Sequence, residues 1–574
     1  MEFQLFLKLA HEFAPVLGVD TESNGEDLRD GRGFTMGASI AFKYDGVNGY
    51  SYYFPFRHPD NGNLGWDYRD KLKELIESKP ITCHNLKHDI PALNSLGIKA
   101  PPDSRCSMLA AHNVREDQLS FGLDFQARNV LGIPGKMRDD DFETIKKAFG
   151  WGGIPSFAMA DYGAQDAILH LAMHDYYWPK FMEEEPDNAE RWKVELDFLY
   201  LLNKIEKQGI LVDLDLAQQQ ILLGEFRMTE LLDEIGYNLG SRKDLEKLLI
   251  EDLQLPIFTG QRTASGNLSF AKNYMELYEE ILATMDSPVA SNILEYRGYQ
   301  KAVSSYWKAY LRLVSPDGRL RPNFMQHGTK TGRLSCRDPN LQQIPRVTEK
   351  PWNKRVKAGF LARPGYRLWE ADYSQLEMRI QAAYSKEPLL VEVFNDDTRD
   401  LFDEMAKELG YPRYDVKQLN YATGYGAKPA KVAMMLGIPL WKAQNLYNSY
   451  FTRFSKIAEL NEMAMRLAKE QGFVRYWTNR RRHFENPRAE AHKALNAVMQ
   501  GGAAEIVKRA MIQLDKELDP ECLMELQVHD SVWFEIPEGT EDKHLPEIKR
   551  IMETSPPAEF GIPFKVDIHE IKAA

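Results

Sequence analysis

One acid at the joint between a strand and a helix constrains this chain more than any other feature. The stretch Leu368-Trp369-Glu370-Ala371-Asp372-Tyr373-Ser374-Gln375-Leu376-Glu377-Met378-Arg379 reads as a strand running into a helix, with Asp372 where one becomes the other. A strand end fixes a side chain in space and leaves backbone carbonyls free beside it. Asp372 and the Tyr373 carbonyl are therefore placed to hold a hard divalent cation. An Asp that merely caps the following helix is the alternative, and on this stretch alone it would be preferred. A second acid 158 residues downstream reverses that preference. Val528-His529-Asp530-Ser531 lies between apolar runs at 523–526 and 532–534, which predict a β-hairpin with Asp530 at its turn. Two acids on facing strand tips are what a two-metal phosphoryl-transfer site needs.

At 574 residues the chain is too long for one core, and a prior of about 150 residues per domain predicts three or four. The start of the sequence has no basic segment followed by a small-residue cleavage site. No apolar run is long enough to span a bilayer, so a cytoplasmic protein without membrane contact is expected. Cys83, Cys106, Cys336 and Cys522 are scattered and form no Cys-x-x-Cys pair, which argues against a zinc site and for a reducing compartment. The net charge of −12 looks wrong for a nucleic-acid binder until it is resolved along the chain. Residues 321–360 carry nine Lys/Arg against two acids, and residues 471–510 carry eight against three. A basic groove in an acidic body would concentrate phosphate binding in one place. A solvated charge run is the bland alternative, weakened by the Gly, Pro, Gln and Asn interleaved with the bases.

In chain order, Pro15-Val16-Leu17-Gly18-Val19-Asp20 predicts a short buried strand, and Asp20-Thr21-Glu22 follows; on a strand those two acids face the same way. Residues 81–89 enter a helix bearing Asp89, and Tyr162 and Asp166 share one helix face at i, i+4. Four acids and a tyrosine in this order resemble the motifs of the DnaQ-like 3′→5′ exonucleases. The chemistry suits that resemblance, with Asp20, Glu22, Asp89 and Asp166 holding two metals and Tyr162 orienting the attacking water.

The acidic stretch 183–187 marks a domain boundary, after which residues 196–205 have helical apolar spacing that ends at Gly209. Residues 238–249 put flexible polar residues before a helix start, equally fit to grip phosphates or to be an ordinary capped loop. Then come Thr329-Lys330-Thr331-Gly332-Arg333-Leu334-Ser335 and Asp338-Pro339-Asn340-Leu341-Gln342-Gln343-Ile344-Pro345-Arg346. Together with the Asp372 stretch, these blocks resemble the palm of family A DNA polymerases, and the likeness runs from Asp20 to Glu535.

A further block places Arg413, Lys417, Tyr421 and Tyr425 four residues apart, so one helix face reads cation, cation, aromatic, aromatic. That order fits a nucleoside triphosphate lying along the helix, phosphates at the Arg/Lys end. An amphipathic core helix is the alternative, although a core face rarely carries Arg and Lys at successive turns. The resemblance makes this the fingers helix that closes on the incoming nucleotide, with Gln375 and Glu377 also at the nucleotide and Glu377 under the ribose C2′. It further implies that Arg333, Asn340, Gln343, Arg482, Asn496, Gln500 and His529 contact DNA, Asn496 and Gln500 through the minor groove. The small residues after Gln500 permit close helix packing. Two positions depart from the family pattern: Ser531 follows Asp530 where relatives usually have Glu, and Phe402 stands where they often carry a triphosphate-contacting His.

The resemblance implies a multidomain α/β and α+β protein, an RNase H-like exonuclease domain followed by a right-hand polymerase. The expected divisions are 1–185 exonuclease, 186–320 thumb, 321–390 palm, 391–500 fingers and 501–574 second part of the palm. The implied activity is DNA-directed DNA synthesis with 3′→5′ proofreading, two Mg2+ per site replaceable by Mn2+. Asp372, Tyr373 and Asp530 would hold metal in one site, and Asp20, Glu22, Asp89 and Asp166 in the other. Its partners would be primer-template DNA, deoxynucleoside triphosphates and a helicase or processivity factor, with the chain a monomer. A start at the nuclease motif, with no room for a 5′-nuclease domain, favours a phage-type replicative enzyme. A degradative nuclease with a relict polymerase half should have lost Asp372, Lys417 or Asp530, and a non-catalytic DNA scaffold should have lost acids in both halves.

Overall fold

The computed structural model describes residues 3–133, 140–184, 187–258, 260–263, 265–345, 350–396, 398–424 and 426–573, and of residues 140 and 141 only the backbone. In the N-terminal lobe, strands β1 (Leu17–Ser23), β2 (Thr35–Lys43), β3 (Gly49–Pro55), β4 (Ile81–Cys83) and β5 (Arg105–Cys106) form one sheet in the order β3-β2-β1-β4-β5. β1 runs antiparallel to β2 and parallel to β4, an arrangement of the expected RNase H-like type. The apolar start Leu17-Gly18-Val19 is buried, and the strand carries on through the acids that follow it.

Helix α1 (Leu86–Ser95) follows β4, and α2 (Ser156–Glu184) lies across the sheet. Two glycines set how close α2 comes. A Cβ on Gly18 would sit 2.4 Å from the Ala167 carbonyl oxygen, and one on Gly163 would sit 2.7 Å from Ser39 Oγ. Only residues without a side chain permit that approach. α3 (Asn188–Gln208) comes next, ending where Gly209 takes a positive φ of 64°. Residues 185 and 186, within the expected boundary stretch, lie outside the described residues. α3 joins two cores: Trp192 and Leu196 pack in the N-terminal lobe, and Leu201, Leu202 and Ile205 pack with the rest of the molecule. A helical region over residues 214–313 has a small core of its own around Leu231, Leu249, Met275, Tyr278 and Ile293.

The second sheet is built from β6 (Tyr366–Tyr373), β7 (Leu523–Val528), β8 (Ser531–Pro537) and β9 (Val566–Glu570), all neighbours antiparallel, in the order β7-β8-β6-β9. β6 leads into α4 (Leu376–Ser385) as the sequence predicts, and β7 and β8 form the predicted hairpin. A mainly helical segment separates the first and later strands of this sheet and contains α5 (Arg413–Gly424). The long helix α6 (Ala494–Glu517) packs against α4 and beside Tyr476, where a Cβ on Gly501 would fall 2.0 Å from the ring. Among the described residues no helix is long and apolar enough to cross a membrane.

Candidate active sites

The first site grows out of β1. Asp20 and Glu22, two residues apart, face one way, and α2 brings Asp166 onto them because Gly18 and Gly163 let the helix settle on the strand. Carboxylate oxygens of Asp20, Glu22 and Asp166 all lie within 4.8 Å of one another, close enough to share a cation. His170, one turn beyond Asp166, donates Nδ1–H to the Val19 carbonyl (2.7 Å) and places Nε2 3.6 Å from Asp20 Oδ1. Tyr162, one turn before Asp166, stacks its ring on Phe142 at 4.4 Å between centroids, with Trp151 edge-on. Buried Tyr53 also belongs here: burial, then the charges of Glu22 and Asp20, push its hydroxyl well above its ordinary pKa. A cleft of about 460 Å³ opens beside Glu22, bordered by His88, Trp151 and Arg29.

Asp89, the fourth acid of the expected set, stands outside that cluster of three. Thr21, between the two acids on β1 and lining the same cleft as Glu22, donates its Oγ1–H to Asp89 Oδ1 at 2.8 Å. Burial raises the Asp89 pKa to about 7, against the lowering effect of the bond from Thr21.

The second site lies on the central sheet. The β6–β8 register sets Asp372 opposite Ser531, and β9 sets Asp567 opposite Asp372 on the other side. Asp530 sits in the two-residue turn between β7 and β8, where the Tyr373 N–H donates to its carbonyl at 3.3 Å. Two non-glycine residues with left-handed backbone flank the junction, Gln375 (φ 53°) and His529 (φ 56°). Such residues are uncommon and cluster at functional sites. A cleft of about 480 Å³ gathers Asp372, Tyr373, Gln375, Glu377, Arg413, Lys417, Tyr421, His529 and Asp530 from separate parts of the chain. Lys357, Glu370, Asp400 and Asp567, which sequence reasoning did not single out, line it too. For Glu370 the signal was present: two residues before Asp372 on a strand is the same face.

Charges in this cleft are interleaved. Arg333 reaches Glu377 at 2.5 Å and Asp530 at 3.6 Å. Burial raises the Glu377 pKa, with Arg333 opposing and Asp530 adding to the rise. On α5, Val416, Leu419 and Asn420 turn inward, while Arg413, Lys417 and Tyr421 line the cleft. Arg413 pairs with Asp400 (3.0 Å) and Asp403 (2.9 Å). Phe402, the departure noted above, places its ring 5.9 Å from the Arg413 guanidinium, 5.6 Å from the Lys417 ammonium and 5.8 Å from the Tyr421 ring. Tyr425, Arg346 and Glu349 lie outside the described residues.

The expected DNA contacts divide. Asn340, Gln343 and His529 are exposed, and Asn496 and Gln500 are half-buried one turn apart on α6. Arg482 is a correction: it is buried and pairs with Glu116 of the N-terminal lobe at 3.1 Å. Arg480 and Lys508 of the same basic run turn inward likewise, because Glu195 and Glu505 lie beneath them, while Arg475, Arg488 and Lys493 stay exposed. Glu195 takes Arg480 at 2.9 Å and Lys508 at 2.6 Å, and Arg480 also donates to His112 Nδ1 at 3.0 Å. Burial and the neighbouring Arg480 push His112 far below its ordinary pKa, so it stays neutral and donates Nε2–H to the Thr329 carbonyl. A count of basic residues does not register that the charge is answered from underneath.

An RNase H-like sheet carrying three converging acids, joined to an antiparallel palm-like sheet with acids at a strand end and a hairpin turn, defines a two-site chain. Residues 216–572 match the profile of DNA polymerase family A, and residues 4–181 match that of the 3′-5′ exonuclease. The chain belongs to DNA polymerase family A. DNA polymerase I of Pseudomonas aeruginosa is 30% identical over 98% of this chain and 64% of that protein. DNA polymerase I of Lactococcus lactis subsp. lactis is 32% identical over 88% and 59%, and that of Borreliella burgdorferi is 27% identical over 98% and 62%. The chain thus spans less than two thirds of the length of these relatives. The POL domain of Pol1 from M. smegmatis, solved in complex with DNA primer-template and dNTP, superposes with a TM-score of 0.84 over 100% of this chain and 98% of that one; at 24% identity it shows the shared fold.

Proposed function

We propose that the chain is a DNA-directed DNA polymerase with its own 3′→5′ proofreading exonuclease, each activity in one of the two carboxylate sites. The observation that carries this reading is the single cleft in which Asp372 and Asp530 meet Arg413, Lys417 and Tyr421. Acids at one end and cations along one helix face suit a nucleoside triphosphate whose α-phosphate is attacked near the acids.

The donor sets fit hard divalent cations, Mg2+ with Mn2+ as substitute: carboxylates converge at Asp20, Glu22 and Asp166, and Asp372, Asp530 and a strand-end carbonyl share the cleft. Bound there, such ions supply activation of the attacking oxygen and neutralisation of the leaving one. Asp372 and Asp530 would hold the ions, whose chemistry would serve the attacking primer 3′-hydroxyl. Arg413 and Lys417 bind the outer phosphates, and Lys417 Nζ gives a proton to the departing pyrophosphate. Glu377, fixed by Arg333, excludes a ribose 2′-hydroxyl, and Gln375 and Tyr421 border the nucleotide. Asn340, Gln343, Asn496, Gln500 and His529 meet the primer-template, with residues 186–320 as thumb, 321–390 and 501–574 as palm and 391–500 as fingers. In residues 1–185, Asp20, Glu22, Asp89 and Asp166 would hold the ions for hydrolysis, Asp89 taking a hydrogen bond from Thr21, and Tyr162 would orient the water. The reading extends to a monomer in the cytoplasm that works with a helicase or processivity factor in phage-type replication, although the relatives named above are bacterial.

The test is a labelled primer-template incubated with and without deoxynucleotides. Extension with them and shortening without them is expected, and a primer that is shortened under both conditions and never extended rejects the polymerase assignment.

A further inference from the structure

Glu370 is an acid of the polymerase cleft with no part in the reading above, which this inference deepens and on which it rests. It stands two residues before Asp372 on β6, so both side chains face the cleft, and both line it. The residue opposite Asp372 on β8 is Ser531, one of the two departures noted in the sequence. Glu370 lies diagonally across from it and reaches over: Oε1 is 3.1 Å from Ser531 Oγ and 3.1 Å from Trp533 Nε1. Its Oε2 takes the Lys357 ammonium, which in turn lies 5.3 Å from the Trp533 ring. The Ser531 hydroxyl is buried and also lies 3.0 Å from the Val528 carbonyl. It has one proton to give, and a carboxylate is the stronger acceptor.

We propose that Glu370 is a further carboxylate of the polymerase metal site, supplied from β6 beside Asp372, with Ser531 on β8 as the residue that positions it. The chemistry of the neighbours favours this over a plain ion pair with Lys357. A carboxylate offers roughly four acceptor positions, and Ser531, Trp533 and Lys357 occupy about three. The remaining one is available to the hydration shell of a cation held by Asp372 and Asp530. An acid at 531 would fall beside Glu370 and repel it, whereas a small hydroxyl donates to it. The two positions therefore carry one negative charge between them, and either strand is able to bear it.

That symmetry makes the inference testable by exchange. Mn2+ is titrated into the full chain carrying Asp20→Ala and Glu22→Ala, which removes the nuclease site. The protein is bound to a dideoxy-terminated primer-template and the matching deoxynucleotide, and bound Mn2+ is counted by electron paramagnetic resonance. Glu370→Gln, which keeps the shape and loses the charge, is expected to weaken Mn2+ binding roughly 10- to 100-fold in a variant shown by circular dichroism to be folded at the assay temperature. Glu370→Ser is expected to weaken it similarly, and Glu370→Ser with Ser531→Glu to restore most of the loss. Parental Mn2+ affinity in Glu370→Gln, or no recovery in a folded double variant, overturns the inference. Asp372→Asn separates the two levels of argument. If it too leaves Mn2+ binding intact, the cleft is not the metal site at all. If it abolishes binding while Glu370→Gln does not, only the role of Glu370 fails.

Discussion

The two carboxylate sites are built by opposite means. In the N-terminal lobe, two acids come from one short strand and a third from the helix lying on it, and their oxygens crowd within 4.8 Å with His170 beside them. In the central sheet, acids from β6 and from the β7–β8 turn, 158 residues apart in sequence, are set among Arg333, Lys357, Arg413 and Lys417. Crowded like charges at the end of a cleft suit bound cations and a small reacting group. Acids interleaved with cations suit an extended polyanion that must be gripped along its length while one of its bonds is broken. The difference teaches that the two activities proposed for the chain do not share ligands, so each is breakable alone.

The largest expected effect is on the central site. Asp372→Asn removes one of its two expected metal-holding carboxylates, worth several kcal/mol of charge stabilisation, and should lower primer extension on the order of 10³-fold or more. Primer shortening should persist at its parental rate, since the acids that serve it lie in another lobe. Loss of both activities in a folded variant would break the comparison. The reciprocal experiment is Asp20→Ala with Glu22→Ala, expected to reduce primer shortening by a similar factor while extension stays within about twofold. Rapid gel sampling of a labelled single strand decides it, and substantial residual shortening would remove these acids from the nuclease.

A smaller effect sharpens the picture of the cationic helix. Tyr421 lines the cleft one turn beyond Lys417, its ring 5.8 Å from that of Phe402. Its phenol can donate toward the triphosphate, where the 3′-hydroxyl of the substrate would otherwise contribute, so the enzyme should accept dideoxynucleotides. Tyr421→Phe keeps the ring and deletes one oxygen. A hydrogen bond to a charged group is worth about 1.5 to 3 kcal/mol, so discrimination against the terminator should rise some 10- to 150-fold. Competition between natural and dideoxy nucleotides in nuclease-deficient protein measures this directly. Strong rejection of the terminator by the parent would count against the assignment.

Much of both sites was legible because strands and helices have fixed periods. Asp20 and Glu22 share a face by alternation, Tyr162 and Asp166 share one by helical turn, and the hairpin around Asp530 follows from two apolar runs about a polar turn. What was not legible depends on contacts between segments distant in sequence. Nothing local to Arg482 or Arg480 shows that Glu116, Glu195 and Glu505 lie under them, so a basic run that reads as a DNA groove is partly an internal ionic joint. Burying such charges is tolerable only because each has a partner. The partner of Asp89 is likewise distant in sequence: the hydroxyl of Thr21, between the two acids of β1, donates to it from 68 residues away.

Asp89 therefore supplies the smallest and most discriminating test, because it decides whether the nuclease site has three converging acids or four. Buried and bonded to Thr21, it titrates near 7 in the folded chain against an ordinary value of 3.8. A carboxyl whose folded pKa lies above its unfolded value holds its proton more tightly in the native state. The stability this contributes is fully present below about pH 4 and is lost as pH rises through about 7, by at most about 4 kcal/mol. Asp89→Asn still accepts the Thr21 hydrogen bond but never ionises. With EDTA present, the variant should match the parent near pH 4 and exceed it in urea resistance at pH 8. The excess should shrink when Mg2+ is added only if the Asp89 carboxylate moves to join Asp20, Glu22 and Asp166 around the ion. A parent at least as stable as the variant at pH 8 without metal would mean that the buried carboxylate is not strained by ionisation.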